Sequence, residues 1–129
     1  MKILVVDDSR LARASIIKTL NEAFDNINEI IQGTNGQEAV ELYQTHTPDI
    51  LFLDLTMPVM DGFEALRQIR AYDDKAHVVI VSADIQEKAV SQVMHDGAIM
   101  HVQKPINAKK MQEIIKTASF LSKVESSHE

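Results

Sequence analysis

Short apolar runs alternate along the chain with longer segments in which apolar residues recur every three or four positions. The runs lie at residues 2–6, 26–32, 50–53, 77–81 and 99–102, and polar residues interrupt only the second run heavily. An unbroken apolar run of this length is typical of a strand covered on both faces, whereas the mixed run is typical of an edge strand. The pattern predicts five strands, each followed by a helix.

Short polar residues stand before most of the helical segments, where their side chains can accept hydrogen bonds from the first free N–H groups. The candidate N-caps are Ser9, Asn35, Asp61, Asp84 and Asn107. Glu38 and Glu64 follow two of these caps by three residues, which is the spacing of a capping box. Gly97 is placed to end the fourth helix. These signals predict where the helices begin and end.

Strand and helix alternate five times, which favours a parallel sheet, because parallel neighbours need a crossover and the helix supplies it. We predict an α/β fold with five helices and a five-stranded, doubly wound, flavodoxin-like sheet in the order 2-1-3-4-5. In that order a ligand crevice lies at the carboxyl ends of strands one and three. We assign residues 1–121 to this domain and polar residues 122–129 to a frayed tail or linker stub.

The amino-acid composition excludes or disfavours several classes of function. The chain has 129 residues, of which 45% are hydrophobic and 25% charged, so it fits one globular domain. The absence of cysteine excludes disulfides, thiolate metal sites and a cysteine nucleophile. A net charge of −6 disfavours direct binding to nucleic acid. No apolar run reaches the length of a membrane span, so we expect no membrane insertion and a cytoplasmic location.

Polar residues that can carry chemistry follow four of the five strands. Asp7 and Asp8 follow strand one, Asp54 follows strand three, Ser82 ends strand four, and Lys104 follows strand five. A single aspartate after a strand is most often a turn or cap residue. Because the carboxyl ends of parallel strands share one edge, however, these residues are expected to converge on one site.

Three neighbouring carboxylates repel one another, so such a site needs either raised pKa values or a bound cation. Oxygen ligands without histidine or cysteine favour a hard divalent ion such as Mg²⁺, or Mn²⁺. We expect Asp8 and Asp54 to be direct ligands and Asp7 to act through water. The backbone carbonyl of Thr56 is a further candidate ligand.

The same residues suggest phosphoryl transfer. The carboxylate of Asp54 is placed to attack a phosphoryl group in line, and the ammonium of Lys104 is placed to offset charge on the phosphoryl oxygens. Ser82 would donate its hydroxyl to that group, together with the backbone N–H of Ala83. A covalent change at Asp54 would then move the loop after strand four.

Four motifs resemble the receiver domain of two-component response regulators, and the likeness covers residues 2–121. They are VVDDS at residues 5–9, DLTMPVMDG at 54–62, VSA at 81–83 and VQKP at 102–105. The resemblance implies a chemotaxis-type single-domain regulator and a phosphoacceptor rather than an enzyme on external substrates. Such a domain supports its own phosphorylation and slow autodephosphorylation.

The resemblance also assigns partners and ligands. A sensor histidine kinase or a histidine phosphotransfer protein would phosphorylate Asp54, with Mg²⁺ held by Asp7, Asp8, Asp54 and the Thr56 carbonyl. A cis peptide bond would precede Pro105. The regulator would be a monomer or a homodimer promoted by phosphorylation, and the sequence does not identify the downstream partner.

One position departs from the family pattern. His101 stands where the family often has a tyrosine or phenylalanine whose ring moves inward on activation. We therefore treat His101 as a candidate switch position, against the simpler interpretation of a solvent-facing histidine. The output surface is expected to comprise the fourth helix, the fifth strand and the fifth helix. Thr56 and Asp84 are candidates for tuning hydrolysis of the phosphorylated state, although Asp84 can equally be a helix cap.

Three alternatives involve other classes of protein. A haloacid-dehalogenase-like, Mg²⁺-dependent phosphatase with an aspartyl-phosphate intermediate has a second aspartate two residues after the nucleophile, where this chain has Thr56. A flavin-binding module needs a phosphate-cradling loop after the first strand, and this chain has two aspartates there. A receiver-like module that binds partners without phosphorylation is the third alternative, and the complete set of candidate site residues gives no reason to prefer it.

Overall fold

A computed structural model of the protein describes residues 1–83 and 86–127. The strands are β1 (Lys2–Val6), β2 (Glu29–Gly33), β3 (Ile50–Leu53), β4 (Val78–Ser82) and β5 (Met100–Gln103). The helices are α1 (Arg10–Ala23), α2 (Gly36–His46), α3 (Gly62–Tyr72), α4 (Glu87–His95) and α5 (Ala108–Ser127). In the part of the chain that the structure describes, none of the helices combines the length and the apolar character that a membrane span needs.

The five strands form one parallel sheet in the order β2-β1-β3-β4-β5. The predicted fold class and strand order are therefore confirmed. The chain winds outwards from β1 in one direction to β2 and in the other to β3, so the winding reverses between β1 and β3. Val6 pairs with Leu53, the last residue of β3, so the two strands end at the same level.

The sheet separates two hydrophobic clusters. Helices α1 and α5 pack on one face, whereas α2, α3 and α4 pack on the other. Strand β3 contributes Leu51 and Leu53 to one cluster and Ile50 and Phe52 to the other, and all four side chains are buried. This two-sided burial explains why β3 reads as an unbroken apolar run.

Four of the predicted helix caps are present. Ser9, Asn35, Asp61 and Asn107 each accept a hydrogen bond from the backbone N–H three residues later, at 3.2, 2.8, 2.9 and 2.8 Å respectively. Each cap satisfies one of the N–H groups that the first turn of a helix leaves free. These caps fix the points at which the chain leaves the carboxyl edge of the sheet and enters α1, α2, α3 and α5.

The two predicted capping boxes are only half formed, because the glutamate side chains do not bond back to the N-cap residues. The Glu38 carboxylate accepts from the backbone N–H and the hydroxyl of Thr34, at 2.6 and 2.7 Å, instead of returning to Asn35. These two hydrogen bonds lower the pKa of Glu38, with the hydroxyl bond contributing most. In α3 the Glu64 carboxylate turns forward to Arg67, at 2.7 Å.

Helices α4 and α5 differ from the sequence prediction. The N-cap of α4 is Gln86, without a side-chain cap, and Asp84 lies outside the described residues. Gly97, with a φ of +105°, follows the end of α4 as predicted. Helix α5 continues to Ser127, so the segment after residue 121 is helical rather than frayed over this length. Within this extension, the carboxylate of Glu125 lies 3.0 Å from Nε2 of the buried His77.

Candidate functional site

Three aspartates lie together at the carboxyl edge of the sheet. Asp7 and Asp8 follow β1 and Asp54 follows β3, and each offers a carboxylate oxygen within 4.8 Å of the others. The level ends of β1 and β3 cause this convergence, and a backbone hydrogen bond of 3.1 Å from Asp54 N–H to the Val6 carbonyl extends the pairing. Asp7 and Asp54 are buried, whereas Asp8 is exposed.

Both carboxylate oxygens of Asp7 have partners. Oδ1 accepts from the backbone N–H of Ser9 at 2.9 Å, and Oδ2 lies 2.5 Å from Nζ of Lys104. The backbone carbonyl of Asp7 also accepts from the guanidinium of Arg13 at 2.8 Å. Asp7 is therefore held in place by the first turn of α1 and by the loop after β5.

Asp54, the acceptor candidate, is nearly enclosed, with 8% of its surface exposed. Its Oδ1 accepts from the backbone N–H of Leu55 at 2.9 Å and lies 3.6 Å from Nζ of Lys104. Burial raises the pKa of Asp54 and the Asp7 carboxylate raises it further, whereas Lys104 and the Leu55 N–H oppose the rise. The site thus disfavours a charged Asp54 unless further positive charge is supplied.

The ends of β4 and β5 complete one cleft with Asp54. Thr56, Ser82, Ala83 and Lys104 line this cleft. The backbone N–H of Lys104 donates to the Ser82 carbonyl at 2.9 Å, which ties the two loops together. The peptide bond between Lys104 and Pro105 is cis, the conformation that the resemblance implies.

Sequence reasoning missed the opposite wall of the cleft. Phe63 in α3, Ala89 in α4 and Gln86 at the start of α4 also line it. The helical spacing of Phe63 and Ala89 gave no signal, because apolar positions on a helix face are interpreted by default as core. This wall encloses Asp54 between the sheet edge and two helices.

His101 lies in β5, opposite Ile80 of β4, and is partly buried. Its Nε2 is buried and has no hydrogen-bond partner within the described part of the chain. Burial lowers the pKa of the imidazole, since the charged form would lose hydration without gaining a partner. His101 is therefore only partly exposed, and its role as a switch position stays a prediction.

The donor set fits a hard divalent ion. Three carboxylates can each supply an oxygen at one point, and the group contains no histidine or cysteine. Mg²⁺ prefers oxygen ligands and retains several waters, which suits a cluster that opens to solvent at Asp8. One lysine beside three carboxylates leaves the cluster with negative charge that such an ion would balance.

The strand order of the parallel sheet and the five helices that cover it define a flavodoxin-like α/β domain, with an acidic cluster at the carboxyl edge of its sheet. The chain belongs to the response regulator receiver domain family, whose model matches residues 3–116. The family acts in two-component signalling rather than as enzymes in the ordinary sense.

Individual relatives cover nearly the whole chain. The chemotaxis protein CheY of Listeria monocytogenes is 37% identical over 119 residues, which are 92% of this chain and 98% of that protein. Protein CcdB of Bacillus subtilis is 37% identical and covers 88% of this chain and 93% of its own length. The CheX-CheY-BeF3-Mg complex from Borrelia burgdorferi matches with a TM-score of 0.83 at 30% identity, over 92% of this chain and 89% of that chain.

Proposed function

We propose that the protein is a phosphoacceptor in a two-component phosphorelay and receives a phosphoryl group on Asp54. The observation that carries the proposal is the meeting of Asp54 with Asp7, Asp8 and Lys104 at one edge of the sheet. The donor would be a sensor histidine kinase or a histidine phosphotransfer protein. Membership of the receiver family supports this assignment, as does the Mg²⁺ in the complex that contains the Borrelia burgdorferi CheY.

The transfer exchanges one bond to phosphorus for another. An oxygen of the Asp54 carboxylate attacks the phosphorus of a phosphohistidine, and the P–N bond breaks as the P–O bond forms. The bond electrons return to the imidazole nitrogen, and a ring protonated on its other nitrogen leaves neutral. Asp54 then carries an acyl phosphate, and no external oxidant or reductant is needed.

Asp8, Asp54 and the Thr56 carbonyl would hold Mg²⁺ directly. Asp7, which already accepts from the Ser9 N–H and from Lys104, would act through water. Bound there, the ion supplies positive charge that stabilises the phosphoryl oxygens. Lys104 would supply the protein's own cation, and its link to the Ser82 carbonyl keeps it beside the cleft. Thr56 has no acidic group, which argues against a phosphatase that uses this position as a general acid.

The loop after β4 would link phosphorylation of Asp54 to the binding of a downstream protein. Ser82 and the backbone N–H of Ala83 would bind the phosphoryl group and shift that loop, and His101 would report the shift from the neighbouring strand. The face formed by α4, β5 and α5 would then change its affinity for a downstream protein. Thr56 and Asp84 would influence how fast water removes the phosphoryl group.

Intact mass spectrometry after incubation with Mg²⁺ and acetyl phosphate tests the acceptor. The wild-type protein should gain the mass of one phosphoryl group, and chelation of Mg²⁺ should prevent the gain. Asp54→Ala should stay unlabelled, while Asp25→Ala, which removes an exposed aspartate beyond α1, should label normally. Labelling of Asp54→Ala at the wild-type rate would refute the proposal.

A further inference from the structure

Arg13 connects the acidic cluster to the neighbouring edge strand of the sheet. Its guanidinium donates through Nη1 to the Asp7 carbonyl at 2.8 Å and through Nε to Oε1 of Gln32 at 3.0 Å. Asp7 follows β1 and Gln32 lies in β2, so one side chain of α1 bridges two paired strands. The guanidinium is planar and its donors point in fixed directions. Acceptors on two different strands therefore fix its orientation as well as its position.

The start of α1 determines where Arg13 lies. Ser9 caps the helix, and its carbonyl accepts from the Arg13 backbone N–H at 3.0 Å. Arg13 thus stands one turn after the cap, where its half-buried side chain reaches back to the carboxyl edge of the sheet. The same turn that ends the loop after β1 also places the guanidinium beside that loop.

The carbonyl that Arg13 holds belongs to the peptide group between Asp7 and Asp8. Because a peptide group is planar, fixing its oxygen also fixes the direction in which the chain continues to Cα of Asp8. The Asp7 carboxylate has partners of its own, the Ser9 N–H and Lys104. Asp8 is exposed, and among the described residues no hydrogen bond holds its carboxylate. The position of Asp8 therefore depends on the backbone that carries it.

This dependence concerns the proposed metal site, because Asp8 must bring its carboxylate to the point where Asp7 and Asp54 meet it within 4.8 Å. We propose that Arg13 is a positioning residue for the divalent ion: by holding the carbonyl of the Asp7–Asp8 peptide, it directs the Asp8 carboxylate into the cluster. This inference rests on the proposed phosphoacceptor function with its Mg²⁺ site. Groups that orient metal ligands without touching the metal commonly contribute a factor of about 10–100 to metal affinity.

The charge of Arg13 acts in the opposite direction. A guanidinium beside three carboxylates offsets their negative charge and weakens their attraction for a divalent cation. Removal of Arg13 would therefore tighten Mg²⁺ binding if only its charge mattered, whereas it weakens binding if positioning dominates. Arg10 is the matched control for charge, because it is the exposed first residue of α1 and its guanidinium has no hydrogen bond within the part of the chain that the structure describes.

Titration with Mg²⁺, followed by ¹H–¹⁵N NMR, measures the dissociation constant of the folded protein. Arg13→Ala should raise this constant about tenfold. Gln32→Ala, which releases one side of the guanidinium without a change of charge, should raise it about threefold. Arg10→Ala should leave it within about twofold of wild type or lower it. Melting temperatures in a chelator are measured alongside, because a residue that only stabilised the fold would change them without changing the dissociation constant.

Labelling by acetyl phosphate gives a second readout. The Mg²⁺ concentration for half-maximal labelling should rise about tenfold in Arg13→Ala, while the rate at saturating Mg²⁺ stays within about threefold of wild type. The split is expected because Arg13 holds the backbone of the cluster rather than the reacting groups.

An Arg13→Ala dissociation constant equal to or lower than that of wild type overturns the inference, as does an equal weakening in Arg10→Ala. A wild-type protein that binds no Mg²⁺ overturns it together with the metal site. A wild-type protein that binds Mg²⁺ but is not labelled refutes the phosphoacceptor function alone, and the titration still decides the role of Arg13.

Discussion

Lys104 is closer to Asp7 than to the proposed acceptor Asp54. Its Nζ lies 2.5 Å from Asp7 Oδ2 and 3.6 Å from Asp54 Oδ1. One ammonium group therefore faces two buried carboxylates and binds more closely to the one that is not expected to react. A phosphoryl group on Asp54 would bring additional negative oxygens toward Lys104 and compete with Asp7 for it.

Lys104→Met tests the importance of this cation. Methionine keeps much of the apolar stem but removes the charge, so Asp54 loses a group that opposes its raised pKa. The rate of labelling by acetyl phosphate with Mg²⁺ should fall about 100-fold, because the charge on the phosphoryl oxygens is less stabilised. Lys110→Met, which removes a lysine that pairs with Glu113 on the surface of α5, should change the rate by less than twofold. A Lys104→Met rate within threefold of wild type would contradict the role assigned to Lys104.

Asp54→Asn should stabilise the metal-free protein. Burial and Asp7 raise the pKa of Asp54, so the folded protein holds the proton more tightly than the unfolded chain does. The resulting stability is present below the unfolded pKa and is lost as the pH rises through the folded pKa. At pH 7 the ionised carboxylate is therefore destabilising, and its replacement by a neutral amide should raise the melting temperature by roughly 2–5 °C.

Thermal unfolding in a chelator, with Asp25→Asn as the control, measures this effect. Added Mg²⁺ should stabilise the wild type and Asp25→Asn, whereas Asp54→Asn should respond much less. An Asp54→Asn variant that is less stable than wild type in chelator would show that the cluster is not under repulsive strain.

His101 should make the fold sensitive to acid. Its pKa is lowered from the ordinary value of 6.5, so the folded protein resists protonation of the imidazole. Stability is complete above pH 6.5 and declines as the pH falls from that value toward the folded pKa, because only the unfolded chain gains the proton. His101→Phe should remove this decline. Melting temperatures between about pH 8 and pH 5 measure it.

His95→Gln provides the control, because His95 is exposed on α4 and its removal should leave the acid decline in place. Parallel pH curves for wild type and His101→Phe would show that the buried Nε2 does not govern acid stability.

Gly62→Ala should disrupt the loop that follows Asp54. A Cβ at Gly62 would lie 2.0 Å from the Asp54 carbonyl oxygen and 2.8 Å from Cα of Leu55, both backbone atoms that cannot rotate away. We expect destabilisation of about 3 kcal/mol, measured by urea unfolding. Gly33→Ala is the matched control, since its nearest neighbours are side-chain atoms of Leu42 and Val6 at 3.2 Å, which can move. Equal effects of the two substitutions would show that backbone proximity is not the cause.

Local signals predicted much of this fold. The helix caps could be predicted because each cap interaction spans only three residues, as at Ser9, Asn35, Asp61 and Asn107. The apolar run of β3 likewise indicates burial on both faces. The strand order followed from the general behaviour of doubly wound sheets. The residues of the acidic cluster could also be predicted, because parallel strand ends share one edge.

Long-range partner choice could not be predicted in the same way. The last turns of α5 contact the body of the domain through Glu125 and His77, which are 48 positions apart in the chain. The preference of Lys104 for Asp7 depends on a difference of about an ångström between two acids that look equivalent in sequence. The positive φ of Val59, +70°, could not be predicted either, because valine rarely adopts it; the neighbouring Met60 carbonyl accepts from the distant Gly36 N–H.

The alternation of side chains along β3 has a consequence for how a signal spreads. Ile50 and Phe52 lie in one hydrophobic layer and Leu51 and Leu53 in the other, directly before Asp54. A displacement of this strand's end would be transmitted to both layers at once, whereas a displacement of a single helix would begin in only one. The proposed acceptor, Asp54, thus follows a strand end whose movement would reach helices on both faces of the sheet.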